Sequence, residues 1–588
     1  MPRHLVAFAL VASLAACGTP AVTIADGEVV QAVEDPDYTR HVRPILEARQ
    51  ALGAGADYSW QGVLGAGPSG FVVPFDAEGS LMLRLVRDLG PEAAMPFPDL
   101  RRLSAAELAL VARWIENGAK DGGAVAFADA QQLLLAGVQG ENHVAVIDAE
   151  TLRLVRRIRF DDHGLPSAPY GPHHFAFEPD GSAAYVSLVS AGVVAKVSLD
   201  LALDPSSDAA LLAHTTPGAF ATPGMLYTDG DDTLYIGRST LSDPLATGLG
   251  VLDLGRFEAD PDGAVETIAT PFNVPHALAV TPDGRYVLTA ELTGTQAGSR
   301  AAVYDTQTGD IALTDIPADG TPHELIHFSI LGAHHAGMMP AHTGMMPAHG
   351  GMDHSGMEHG EMNHDGMEHE GMDHSEHGGM EPGGMPHPGM GDDHDAMAGM
   401  TGGYPYTVTL TSRSTDRVLF LTLAEDGELI LGASAPAGDG PYHAHANHDG
   451  TALLIPDQFG DSVTLLDPVT RAVRLSVDAA APGGPLSQPH SPAPALDGSR
   501  FFVTSSNLDG AWSPEYRFLG PAGADGARAP LPAEAFGNVA AFSVDGALLG
   551  VVQLGAYPSG LEPVFRSTRP GPMNHDAMGH GGASNGDG

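Results

Sequence analysis

Histidines recur in this chain in a fixed setting. Pro172-His173-His174-Phe175-Ala176-Phe177-Glu178-Pro179-Asp180-Gly181 and Pro275-His276-Ala277-Leu278-Ala279-Val280-Thr281-Pro282-Asp283-Gly284 each place imidazole after proline, then a short apolar run, then Asp-Gly. Pro322-His323, Pro441-Tyr442-His443 with Asp449-Gly450, and Pro489-His490 with Asp497-Gly498 are shorter forms, and His445 lies two residues past His443. The stretch from His334 to Met400 holds 14 of the 20 methionines and 12 of the 28 histidines. Its units pair Met352 with His354, Met357 with His359 and Met367 with His369, and Met573 to His580 repeats the theme near the end. Thioether sulfur favours Cu(I), and imidazole accepts either copper oxidation state, with divalent affinity peaking at Cu(II). Nickel or zinc would use the histidines but leave the methionines idle. These residue types point to copper.

The intervals between phrases indicate what must position them. His276 and His323 are 47 residues apart, as are His443 and His490. His323 to His443 is 120, about 50 once a low-complexity insert of about 70 is set aside. His173 to His276 is 103, two periods, with Pro223-Gly224 and Asp229-Gly230 marking a silent repeat between them. Short β-branched runs broken by Asp-Gly turns, at a period of 45–50, predict a mainly β chain folded as a seven-bladed β-propeller over 126–566. Tyr557-Pro558-Ser559-Gly560 is expected to close the first blade against Gln132–Ile158. Glycine and acidic residues forbid a packed core in 334–402, so this Met/His-rich insert is expected to be disordered, as is the tail 567–588.

Before the repeats, Met1 to His4 and the apolar run Leu5 to Ala16 read as a signal peptide (1–16). Leu14-Ala15-Ala16-Cys17 resembles a bacterial lipobox, which implies lipid on Cys17, a linker over 17–34, and a periplasmic protein anchored to the outer membrane. Cys17 is the sole cysteine, so disulfides, Cys-ligated zinc, iron–sulfur clusters, covalent haem and a Cys-bridged copper pair are excluded. Residues 35–123 have helical periodicity: Val42–Arg49 begins one helix, and Leu103–Ala119 another, with Ser104 and Glu107 forming a capping box and Leu108, Val111, Ala112 and Ile115 on one face. Val42–Arg49, Gly79–Arg84, Met95-Pro96 and Leu103–Gly118 resemble a small c-type cytochrome domain. Gln50-Ala51-Leu52-Gly53-Ala54 stands where that family carries Cys-x-x-Cys-His, which implies a domain without haem that serves as spacer or docking surface. A formal charge of −45, with only Lys120 and Lys196 as lysines, excludes nucleic acid as a partner.

The recurring phrase resembles the YVTN, or lactonase-like, propeller family over roughly 430 residues. In that family it opens the innermost strand of each blade, so residues at equal phase meet at the central channel. Gly171-Pro172-His173-His174, Pro275-His276 with Thr281-Pro282-Asp283-Gly284-Arg285-Tyr286, Gly440-Pro441-Tyr442-His443 and, more loosely, Arg517-Phe518-Leu519-Gly520-Pro521 resemble parts of the catalytic propeller of nitrous oxide reductase. That family holds a multicopper cluster with seven inner-strand histidines and carries a cupredoxin domain, which is absent here. The resemblance implies a multinuclear copper centre on His173, His174, His276, His323, His443, His445 and His490, fed by an external cytochrome or cupredoxin as electron donor. Two blades supply no histidine, having Gly224 and Ser559 at that phase. Three functions stand open: a copper-dependent reductase of N₂O, a non-catalytic copper-scavenging lipoprotein with the propeller as scaffold, and a lactonase-like hydrolase. The first requires imidazoles distant in sequence to crowd round one axis, within about ten ångströms, since metal–nitrogen bonds are only ~2 Å.

Overall fold

A computed structural model describes residues 33–90, 95–165, 169–230, 232–239, 247–331, 404–447, 450–478, 484–523 and 526–566. Cys17, the Met/His stretch with Met352, His354, Met357, His359, Met367 and His369, and the tail after 566 lie outside the described residues.

Seven antiparallel four-stranded sheets make up the propeller among the described residues. In blade one the innermost strand is the last among the described residues: Pro558–Phe565 pairs with Gln132–Val138, and His143–Asp148 and Arg153–Arg159 follow outward. The first and last strands thus share one sheet, and the ring closes without a free inner edge. The innermost strands of blades two to seven are Pro172–Phe177, Pro223–Thr228, Pro275–Val280, Leu325–Ile330, His445–Ala446 and Pro489–Pro494. The silent repeat at Pro223 is therefore a blade, and the insert lies between the first two strands of blade five. Inner and second strands are buried on both faces, as in Ala183–Leu188 and Tyr286–Glu291, so they read as continuous apolar runs. Outer strands alternate or face water, as in Ile311–Pro317.

The N-terminal segment is helical, as its periodicity predicts. Its longest helix, Ala105–Glu116, starts at the capping box: Glu107 N–H donates to Ser104 Oγ at 3.3 Å, and Ser104 N–H donates to Glu107 Oε2 at 2.7 Å. The buried face differs from expectation. Leu110, Val111, Trp114 and Ile115 are buried, whereas Leu108 and Ala112 are only half-buried, because Tyr38 packs on Trp114 with ring centroids 5.3 Å apart and draws that side inward. Met95 packs against this same helical core.

The core runs on into the propeller through Trp512, Tyr516, Phe518 and Phe536 of blade seven. Arg157 pairs with Asp76 at 2.6 Å, Arg528 with Asp88 at 2.9 Å, and the Arg84 guanidinium lies 3.8 Å from the Phe518 ring centroid. Leu519 N–H donates to the Asp88 carbonyl at 2.9 Å. The Arg517–Pro521 stretch therefore holds the two parts of the chain together and stands away from the axis. Among the described residues no helix is long and apolar enough to cross a membrane.

Candidate metal centre

Strand register fixes which residues face the axis. In blades two, three, four, five and seven the inner strand slips against its neighbour directly after its first residue or two, a β-bulge. A bulge sets two residues opposite one and re-aims the side chains beside it, so His173 and His174 can both reach the channel instead of alternating. Side-chain hydroxyls take up backbone donors that the slip frees: His174 N–H donates to Ser187 Oγ (3.0 Å), His327 N–H to Thr411 Oγ1 (3.1 Å), and Ser491 N–H to Thr504 Oγ1 (3.0 Å).

Counted by register, the inner strands form three rungs. The first carries His173, His276, His490 and Tyr442, the second His174, His327 and His443, and the third Tyr227, His445 and Glu562. All seven of these histidines are buried, as is Glu562. His443, 0% exposed, is the hub. Its ring centroid lies 5.7 Å from His173, 6.4 Å from His174, 6.2 Å from His276, 5.4 Å from His327 and 4.8 Å from His490. His327 stacks on His445 at 4.9 Å. A metal about 2 Å from a ring nitrogen sits roughly 3.2 Å from that ring's centroid, so two rings on one ion stand at most about 6.4 Å apart. Each of these pairs meets that limit.

Hydrogen bonds set the tautomers. His276 Nδ1–H donates to the Arg238 carbonyl at 2.6 Å, which leaves the lone pair on Nε2, buried and without a hydrogen-bond partner. This is the arrangement of a metal-ligating histidine held by a backbone carbonyl. His174 Nδ1 accepts from Leu226 N–H at 3.2 Å, so the proton of the neutral ring is on Nε2, 3.5 Å from Glu562 Oε1. His445 Nε2 stands 3.6 Å from the same oxygen. Tyr227 Oη lies 2.9 Å from His327 Nε2, and Gln139 Nε2 lies 2.8 Å from His173 Nδ1. Both ring nitrogens of His443 and of His490 are buried without a hydrogen-bond partner. Such orphaned atoms cost a fold about 1–3 kcal/mol each unless something binds them.

Burial sets the charges. It pushes His173 down to about 3 and His276 to about 4, and it pushes His443 and His490 well below the usual histidine range. These rings are neutral near pH 7. His276, His443 and His490 have a lone pair without a partner, whereas His173 Nδ1 accepts from Gln139 Nε2–H. Burial raises the Glu562 carboxyl well above its usual range. Among the described residues, however, no group of three or more His, Cys, Asp or Glu side chains is placed to hold one metal ion. The rings crowd together, but their nitrogens do not converge on one point. The donor set fits a soft or borderline metal bound by several imidazoles.

A cavity of about 160 Å³ reaches the third rung from the side of the Asp-Gly turns. Asp229, Gly230, Thr281, Pro282 and Asn447 line it, with Tyr227, His174, His445 and Glu562 at its inner part.

Six of the seven histidines expected at the axis are there. His323 is not: its Nδ1 lies 2.8 Å from Ser412 Oγ and its Nε2 3.2 Å from the Pro317 carbonyl, and it shares none of the ring contacts above. In blade five Leu325 pairs at the position where Pro172 pairs in blade two, so Pro322-His323 falls three residues short and His327 takes the place of His174. The shared dipeptides His174-Phe175 and His327-Phe328 are the signal that aligns them. Tyr227 and Glu562 come from the two blades that lack the phrase histidine, and no sequence signal marks them.

No model of a known protein family matches the chain, and no curated protein matches it. Among solved structures, a functionally unknown protein from Desulfotomaculum acetoxidans aligns at 10% identity over 74% of this chain and 99% of its own, with a TM-score of 0.43. The periplasmic gluconolactonase of Pseudomonas aeruginosa aligns at 15% identity over 74% and 99%, with a TM-score of 0.41. Apo AztD from Citrobacter koseri aligns at 10% over 75% and 99%, with a TM-score of 0.38. At such scores none of them bears on the chemistry of this chain.

Proposed function

We propose that the protein is a copper-dependent reductase that converts N₂O, two protons and two electrons to N₂ and water, with copper held by the axial histidines. The observation that carries this reading is the gathering of His173, His174, His276, His327 and His490 round His443, with His445 stacked on His327. Seven is the number that the resemblance to nitrous oxide reductase implies. Copper bound there would supply electrons and a Lewis acid to a poorly reactive oxide. The chain's own part is to keep its imidazoles neutral, to bury them from water, and to hold a proton on the Glu562 carboxyl beside His174 and His445. The cavity at the third rung admits a small neutral molecule. The Met/His stretch would recruit or buffer copper, and lipid on Cys17 would keep the protein at the outer membrane in the periplasm.

A second reading, a copper-scavenging protein with the propeller as scaffold, draws on the Met/His stretch and on the lack of a ready-made cage among the described residues. One experiment separates the two. Residues 334–400 are deleted, copper is supplied under anoxia, and the metal retained per chain is counted. Several tightly held ions, lost when His173 and His276 become alanine, support the axial site, and none retained leaves the scavenger. A viologen-coupled N₂O assay on the loaded protein then tests turnover, and a copper-replete but inert chain overturns the reductase.

A further inference from the structure

We propose that electrons enter the histidine cluster through an aromatic port formed by Phe459, Arg413 and Tyr442, and that this port is the docking surface for a basic one-electron carrier; the inference rests on the reductase reading above.

The Tyr442 ring stacks on His443 with centroids 4.7 Å apart and planes 15° from parallel, and it meets His490 at 4.6 Å. The Arg413 guanidinium lies between two rings, 5.6 Å from the centroid of Tyr442 and 5.5 Å from that of Phe459. Glu324 at 2.9 Å and Gln458 at 3.3 Å fix it there. Phe459 is 59% exposed. The ring does not dangle. Its backbone N–H donates to the Asp439 carbonyl at 3.1 Å, and the ring lies on Gly440, where a Cβ would come within 2.5 Å of it. Gly440 also sits at φ +70, so a side chain is excluded there twice over. A continuous run of π-systems and one guanidinium thus joins solvent to the hub of the cluster, on the side away from the cavity at the third rung.

The surroundings say what docks. Leu508, 52% exposed, is tied to the same face through Gln488, which accepts from Leu508 N–H at 2.8 Å and donates its own backbone N–H to Asp461 at 2.7 Å. Asp416, Asp439 and Asp509 are exposed around these apolar groups. An apolar centre with an acidic rim, on a chain of net charge −45, complements a carrier whose exposed cofactor edge is ringed by lysines. Each encounter would oxidise the carrier by one electron and pass that electron to copper held by the axial histidines, so two encounters would supply the pair that N₂O consumes.

Mitochondrial cytochrome c, a lysine-rich single-haem carrier, serves as the probe. Its affinity for the copper-free full-length chain is measured at several salt concentrations. Phe459→Ser and Asp439→Lys are each expected to weaken it about tenfold, and the second also to flatten the salt dependence. In the copper-loaded chain, anaerobic stopped-flow oxidation of the ferrous cytochrome, measured at saturating cytochrome and expressed per bound copper, should slow at least tenfold in Tyr442→Leu and recover in Tyr442→Phe. Reduction by a small viologen should be untouched in Phe459→Ser. Unchanged affinity in both surface variants overturns the docking surface, and an unchanged transfer rate in Tyr442→Leu overturns the route. A chain that takes up no copper overturns the reductase reading instead, and the binding measurements on the copper-free chain still decide the surface.

Discussion

Replacing His443 with leucine, in a chain lacking residues 334–400, should raise stability without metal and lower it with metal. His443 is fully buried, and both of its ring nitrogens lack a hydrogen-bond partner. Leucine has a similar volume and removes both orphaned atoms, worth about 1–3 kcal/mol each. Lost stacking on Tyr442 and local misfit return about 1–2 kcal/mol, so the metal-free variant gains on the order of 2 kcal/mol. Without residues 334–400 the propeller has about 370 residues and unfolds with an entropy of roughly 0.8 kcal/mol per kelvin, which makes this about 2–3 °C in Tm. Copper at a thousandfold excess over its Kd would stabilise the parent by about 4 kcal/mol, roughly 4–5 °C, and the variant by little. Differential scanning calorimetry with and without copper should therefore show the two Tm values change order. If the metal-free variant melts several degrees below the parent, or copper raises both equally, the hub is an ordinary core residue and the reasoning fails.

Copper counting should separate two histidines that the sequence confuses: His327→Ala loses metal, whereas His323→Ala retains the parent's content, since only His327 shares ring contacts with the cluster. Asp457 is buried, and desolvation raises its carboxyl to about 6, above the ordinary 3.8. The folded state thus binds the extra proton, and stability should fall by about 2–3 kcal/mol as pH rises from about 4 to 6. Asp457→Asn, whose amide can still accept from Gly438 N–H and donate to Ser462 and Thr464, should remove that slope in chemical denaturation across this range. Ser104→Ala breaks the capping box of Ala105–Glu116 and should cost about 1 kcal/mol, seen as faster amide exchange in that helix with copper content unchanged.

The amino-acid sequence by itself determined the number of blades, their closure and the helix start at Ser104. Each is either periodic, like the 47-residue spacing of His276 and His323, or local, like Ser104 and Glu107. A repeat must bury its apolar strands against the next repeat, so spacing alone counts the blades. The proline-histidine phrase likewise brought His173, His276, His443 and His490 to the axis. Which further side chains reach it was decided only by tertiary structure. A bulge or a shift of a few residues changes what a strand presents, and it moved His323 out and His327 in. Tyr227 and Glu562 belong to no motif and meet His327, His174 and His445 because seven inner strands converge in space. The same convergence buries the rings, and it is burial, invisible in a list of residues, that keeps the imidazoles neutral and raises the Glu562 carboxyl above its usual range.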